Sequence, residues 1–333
     1  MTAAARFGAG LIEATEPPER RGIARDAVRM LVSDRLTRTH SHAHFYDLPS
    51  CLRPGDLLVV NDSATLPAAV LARQSDGGGL RLHVSTMIDA SLWTVEPRAP
   101  VVAGETLDLP GRATVTMIAP VEAPRRRLWY ASFRLPMPMY AYLAQYGAPI
   151  IYAYVERSFP LRDYQTFFAR NIGSSEMPSA ARPFTKAVVE QLRGRGVEIA
   201  TITLHCGVAS FEAPERPGAE RFTVSHEAAD RVNAARRERR RVVAVGTTVV
   251  RALESAASDG GLIASSGWTG LVIGETYQLK VADALLSGFH DATATHLSML
   301  RAFMDAELLD AAYSAALQRG YACHEFGDTH LIE

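Results

Sequence analysis

The sequence predicts an α/β fold, a layered α/β/α domain interrupted by a small antiparallel β-barrel or sandwich. Three observations carry that prediction. Beyond about residue 185, strand-length apolar runs alternate with capped amphipathic helices, the pattern of a mainly parallel sheet. Between residues 66 and 135, short β-rich runs follow one another with no helical pattern between them. Finally, Val243-Ala-Val-Gly-Thr-Thr-Val-Val-Arg-Ala-Leu-Glu254 turns a buried strand into a helix at a single glycine.

In chain order, residues 27–35 predict a strand and 45–52 a short helical piece. The Pro54-Gly55 turn launches a buried strand that ends in the polar pair Asn61-Asp62. Strands follow over 68–73, 80–88, 92–97, 106–109, 113–118 and 128–135, broken by turns such as Asp76-Gly-Gly-Gly79 and Pro110-Gly111. Six closely spaced strands suit a barrel or sandwich, and no fixed repeat marks a solenoid. A Pro- and Tyr-rich bridge over 136–154 then restores alternation. Thr185 is predicted to cap a helix with Val188, Val189 and Leu192 on one face, closed by Gly194 and Gly196. After a strand over 197–204, Ser225 caps a helix presenting Ala228, Ala229, Val232 and Ala235. A strand over 241–245 precedes a helix capped by Thr247 or Thr248. The expected organisation is a discontinuous α/β domain, 1–65 with 151–333, that carries the active site. Residues 66–150 form the inserted barrel and bridge.

Composition narrows the function classes. The chain has 333 residues, 47% hydrophobic and 21% charged, as globular proteins do. No run approaches the ~18 apolar residues of a membrane span, and the N-terminus lacks a signal-type apolar core. Cys51, Cys206 and Cys323 lie far apart without CxxC spacing, so neither disulfides nor a thiolate metal site is expected and a cytoplasmic location is. HExxH and related spacings are absent as well, so no metal is expected. A net charge of −1 predicts no broad phosphate-binding surface. Arg125-Arg-Arg127 and Arg236-Arg-Glu-Arg-Arg-Arg241 are local basic clusters, the second suited to a helix C-terminus.

Four segments that follow apolar runs are chemically equipped: Asn61-Asp62, His205-Cys-Gly-Val-Ala-Ser210, Gly246-Thr-Thr248 and Gly288-Phe-His-Asp291. In a parallel sheet the carboxyl ends of neighbouring strands share one edge, so these segments are expected to converge on one pocket. Gly246, Thr247 and Thr248 would offer free helix amides to an anion, and Arg251 stands one turn further on. Each has a structural alternative. Asp62 suits an Asx turn, His205 a hydrogen-bonded core position, the threonines helix caps, and His290 a surface turn. P-loop, GxGxxG and GxSxG patterns are all absent.

Taken together, these segments resemble the S-adenosylmethionine:tRNA ribosyltransferase-isomerase family of queuosine biosynthesis. The matching stretches run the length of the chain: Met30-Leu-Val-Ser-Asp-Arg35, His44-Phe-Tyr-Asp-Leu-Pro49, Pro54-Gly-Asp-Leu-Leu-Val-Val-Asn-Asp62, Tyr164-Gln-Thr166, Pro178-Ser-Ala180, Thr203-Leu-His-Cys-Gly207, Val243 to Glu254, Val281-Ala-Asp-Ala-Leu285, Phe289-His290 and Phe326-Gly-Asp328. The resemblance implies an α/β domain with an inserted barrel. It also implies S-adenosylmethionine as a consumed ribosyl donor and tRNA as partner. The ribosyl group would pass to a 7-aminomethyl-7-deazaguanine base and rearrange to epoxyqueuosine, releasing adenine and methionine. In that chemistry His205 and His290 are the candidate proton carriers. Gly246, Thr247, Thr248 and Arg251 would meet the donor's carboxylate, and Asn61, Asp62, Asp283 and Asp328 would bind substrate.

The chain departs from the family pattern at polar positions. Ser63-Ala64 and Pro67-Ala-Ala69 stand where Thr-Arg and Pro-Ala-Arg are usual, and Ala181-Arg-Pro-Phe184 replaces Gly-Leu-His-Phe. Ser287-Gly-Phe-His-Asp-Ala292 replaces Thr-Asn-Phe-His-Leu-Pro, and Tyr321-Ala-Cys-His-Glu-Phe-Gly-Asp328 replaces Tyr-Arg-Phe-Phe-Ser-Tyr-Gly-Asp. Two further readings therefore stay open: a paralogue that uses the same donor on a small nucleoside-like acceptor, and a non-catalytic ligand- or RNA-binding homologue.

Overall fold

The computed structural model describes residues 11–122, 127–208, 218–290 and 296–333. Arg125, Arg126, Ala209, Ser210 and Asp291, named above, lie outside them. Nine strands build one mixed sheet. They are β1 (Arg29–Asp34), β2 (Thr39–His44), β3 (Leu57–Asn61), β4 (Glu198–Leu204), β5 (Glu220–Val224), β6 (Val242–Val245), β7 (Ser265–Thr269), β8 (Ala284–Gly288) and β9 (Thr329–Ile332). Their spatial order is β7-β5-β4-β3-β6-β8-β9-β1-β2. The expected parallel sheet is its centre, where β4, β3, β6 and β8 run in one direction. The flanks reverse: β5 and β7 pair antiparallel on one side, β9 against β8 on the other. Every residue of β3 and β6 is buried, which explains their unbroken apolar sequences.

Because successive strand residues face opposite ways, the sheet sorts its side chains into two cores. Leu57, Val59, Val242 and Ala244 join one, with α3 (His226–Arg237), α4 (Thr247–Ala256), α5 (His296–Phe303) and α6 (Ala306–Gln318). Leu58, Val60, Val243 and Val245 join the other, against α2 (Lys186–Gly194) and the 45–52 segment. Two expected caps form: Thr185 Oγ accepts from the Val188 amide at 3.3 Å and Ser225 Oγ from Ala228 at 3.1 Å.

Six strands between Ala69 and Arg134 close into an antiparallel barrel, in sequence between β3 and β4. Its interior holds Trp93, Trp129, Leu82, Val84 and Val95. The bridge contains a helix that the sequence reading missed, α1 (Met139–Tyr146). Its Met139, Tyr142 and Leu143, spaced i, i+3, i+4, pack on the barrel core. β2 was also missed, because Thr-His-Ser-His-Ala-His is a polar edge strand without apolar alternation.

Candidate active site

The register of the parallel strands decides what meets what. Asn61 pairs with Ile202, Ala244 with Val59 and Leu285, and Val245 with Leu286, so the segments after β3, β4, β6 and β8 emerge at one edge. Between this edge and the barrel lies a cleft of about 590 Å³. Gly246, Thr247, Thr248, Gly288 and His290 line it from the sheet, and Glu96 and Arg98 from the barrel.

Gly246, not a threonine, is the N-cap of α4, which corrects the expected cap; no side chain caps the helix. Gly246 has φ 91° and ψ 153°, a conformation open to glycine, and a Cβ there would come 3.3 Å from Ala180 Cβ. Its amide is held by the Leu286 carbonyl at 2.8 Å, and its own carbonyl accepts from Val249. The first turn of α4 thus opens on the cleft with its dipole uncovered. Asn61 Nδ2 reaches Thr248 Oγ1 at 3.4 Å and the Leu204 carbonyl at 2.8 Å, tying the ends of β3 and β4 to α4. Asn61 is fully buried and works as a brace behind the cleft wall.

Arg251 also lines the cleft but is not a free charge. Its guanidinium is paired with Glu220 and donates to the carbonyls of Leu271, Thr269 and Gly218. Burial raises the Glu220 carboxyl and Arg251 opposes that rise. The pair stiffens the wall, and the Arg251 donors are spent on protein acceptors.

His290 is packed against His296, ring centroids 3.6 Å apart, and His296 Nε2 bonds Ser287 Oγ at 2.9 Å. Burial, then the neighbouring His296 and His324, hold His290 well below the usual histidine range; burial puts His296 at about 4. Both imidazoles are therefore neutral near pH 7, in surroundings that oppose their protonation.

His205 is elsewhere. It lines a second cavity of about 320 Å³, with Arg221, Trp268 and Tyr140. Its Nδ1 bonds Ser63 Oγ at 2.8 Å, Ser63 in turn meets Ser174 Oγ at 2.6 Å, and burial followed by Arg221 lowers its pKa. Cys206 lines both cavities, so the 205–208 segment separates them.

The structure does not bring three carboxylates to the cleft. Asp62 accepts from Thr203 Oγ1 at 2.6 Å and Asn171 Nδ2 at 3.0 Å, behind the strand ends. Asp283 precedes β8 and so lies at the opposite edge, accepting from the Val242 amide at 2.8 Å. Asp328 receives the Arg29 guanidinium at 2.8 Å and the amides of Arg29 and Ala322. Asp62 and Asp328 have both carboxylate oxygens taken by the fold, and Asp283 is exposed at the far edge, which is the physical reason a substrate role does not follow.

Sequence reasoning missed several residues of the cleft: Tyr152, Tyr154, Glu176, His296 and Glu325. The Tyr152 hydroxyl donates to Glu176 and that of Tyr154 to Glu325. The Tyr-rich bridge hinted at Tyr152 and Tyr154 and the departing tail at Glu325, whereas nothing in the sequence pointed to Glu176 or His296. Arg182, in the segment that departs from the family histidine, is buried. It pairs with Glu19 at 2.9 Å over the Phe326 ring, and so serves the fold.

An uncovered helix N-terminus and a packed imidazole pair stand at the carboxyl edge of a parallel sheet, the place where α/β enzymes gather their ligands. A family model described as queuosine biosynthesis protein matches residues 10–332. The S-adenosylmethionine:tRNA ribosyltransferase-isomerase of Thermus thermophilus is 37% identical over 92% of this chain and 93% of its own length. That of Moorella thermoacetica is 36% identical over the same shares. A crystal structure of S-adenosylmethionine tRNA ribosyltransferase from Thermotoga maritima covers 97% of this chain and 96% of its own, with TM-score 0.56 and 27% identity. The chain belongs to the S-adenosylmethionine:tRNA ribosyltransferase-isomerase family, enzymes of queuosine biosynthesis. No helix among the described residues is long and apolar enough to cross a membrane.

Proposed function

We propose that the protein transfers the ribosyl group of S-adenosylmethionine to a 7-aminomethyl-7-deazaguanine base in tRNA and isomerises it to epoxyqueuosine, with release of adenine and methionine. The observation that carries this reading is the open N-terminus of α4 in the same cleft as the half-buried, neutral His290. The donor's carboxylate docks on the first-turn amides of α4, where Gly246 lets it approach the backbone. The sulfonium acidifies the adjacent C5′ hydrogens, and His290 accepts one of those protons. The proton is then available to the departing adenine. His205, bonded to Ser63 Oγ, lines the smaller cavity beyond the wall and has no part in this step.

The test is an incubation with ribose-labelled S-adenosylmethionine and tRNA bearing the aminomethyl base. Adenine release together with labelled tRNA is expected. Adenine without labelled tRNA would replace this reading with a small-molecule acceptor, and binding without adenine release would sink catalysis altogether.

A further inference from the structure

One end of the large cleft is lined by groups that the mechanism above does not use. Tyr152 and Tyr154 face each other with ring centroids 6.0 Å apart, and His324 stacks on Tyr154 at 4.0 Å. The carboxylates of Glu176 and Glu325 sit at the rims of these rings, each accepting from one tyrosine hydroxyl. Burial raises the Glu325 carboxyl, and its side-chain partner is a neutral phenol. A third phenol, Tyr164, is only 4% exposed, lines the same cleft, and its hydroxyl has no hydrogen-bond partner among the described residues. Burial first, and then the nearby Glu325 carboxylate, raise the pKa of that hydroxyl. A buried phenol normally finds a partner, so this one is set for a group the fold does not supply.

We propose that Tyr152, Tyr154, Tyr164, Glu176 and Glu325 form a cation subsite that takes an ammonium or sulfonium group of a substrate. Aromatic faces and partly buried carboxylates attract a positive centre more strongly than they do in open water. An ammonium also donates to the Tyr164 oxygen, whereas a sulfonium has no proton to give. The subsite rests on the proposed function for the identity of its natural ligand, and three sources share the chemistry: the donor's sulfonium, its amino-acid ammonium, and the acceptor's aminomethyl group.

The test begins with small probes, so that it does not depend on that function. Ligand-observed NMR of the full chain with trimethylsulfonium, methylammonium and neutral dimethyl sulfide should show the two cations binding and the neutral thioether not. Glu325→Gln should weaken both cations about tenfold. Tyr164→Phe, which keeps the ring, should weaken methylammonium alone. Equal binding of cation and thioether, or cation affinity unchanged by Glu325→Gln, would overturn the subsite. Titration of both proteins with S-adenosylmethionine, S-adenosylhomocysteine and methylthioadenosine then identifies the source. Loss in Glu325→Gln for the first alone marks the sulfonium, and loss for the first two marks the ammonium. A raised KM for the acceptor with donor affinities intact marks the aminomethyl group. Cation binding without any affinity for the adenosyl compounds would sink the proposed function while sustaining the subsite.

Discussion

The His290 and His296 rings lie with centroids 3.6 Å apart and planes inclined by 35°. Two imidazolium ions do not share such a space, so protonating one opposes protonating the other. Ser287 Oγ anchors the pair through His296 Nε2.

His290→Asn is therefore expected to lower turnover about a hundredfold or more, the loss typical of a missing proton carrier. Because burial keeps His290 well below the usual range, the wild-type rate should stay flat from pH 8 to pH 6 as far as this residue is concerned. Single-turnover adenine release across that range checks both statements. A His290→Asn enzyme within threefold of wild type would remove the residue from the chemistry.

Arg251 and Glu220 form a buried pair, so removing one partner leaves the other uncompensated. Arg251→Met alone should destabilise the protein by about 3–5 kcal/mol, and adding Glu220→Gln should recover most of that loss. Urea denaturation of the three variants measures the coupling. If the double variant is stable yet binds donor about a hundredfold less tightly, Arg251 touches the carboxylate itself.

His330 is buried beside β1, its Nε2 2.7 Å from Ser33 Oγ, and burial holds its pKa at about 3. Unfolded, a histidine titrates near pH 6.5. Above that pH neither state binds the proton, and the stability contribution is fully present. As pH falls from about 6.5 toward 3, the unfolded chain takes up the proton and the folded chain does not, so stability is lost. His296, at about 4, adds to the same slope. Melting temperatures at pH 7.5, 6.5, 5.5 and 4.5 should fall progressively below pH 6.5. His330→Phe should fall less steeply, and an unchanged slope would contradict the assignment.

The strand-glycine-helix junction at Gly246 was legible because a buried parallel strand must be apolar throughout and the turn into α4 demands a positive φ. Thr185 and Ser225 were legible as caps, since a hydroxyl before an amphipathic run has one common use. The capping threonine at α4 was the wrong inference, because glycine geometry there outweighed side-chain preference. Asp283 shows why strand-flanking residues mislead: it precedes β8, and only residues that follow a parallel strand reach the ligand edge. Asp328 does stand near that edge, since β9 runs against β8, but Arg29 occupies it. Tyr154, Tyr164 and Glu325 were illegible for a different reason. They come from segments without periodicity, and only tertiary packing gathers them.

Cys206 has a chamber on either side, and its backbone is pinned by the hydroxyl of Ser174 on one flank and the amide of Ser175 on the other. A partition one residue thick in a close-packed interior has no slack to give. An occupant on one side therefore meets a fixed wall, and the volume next door stays as it was.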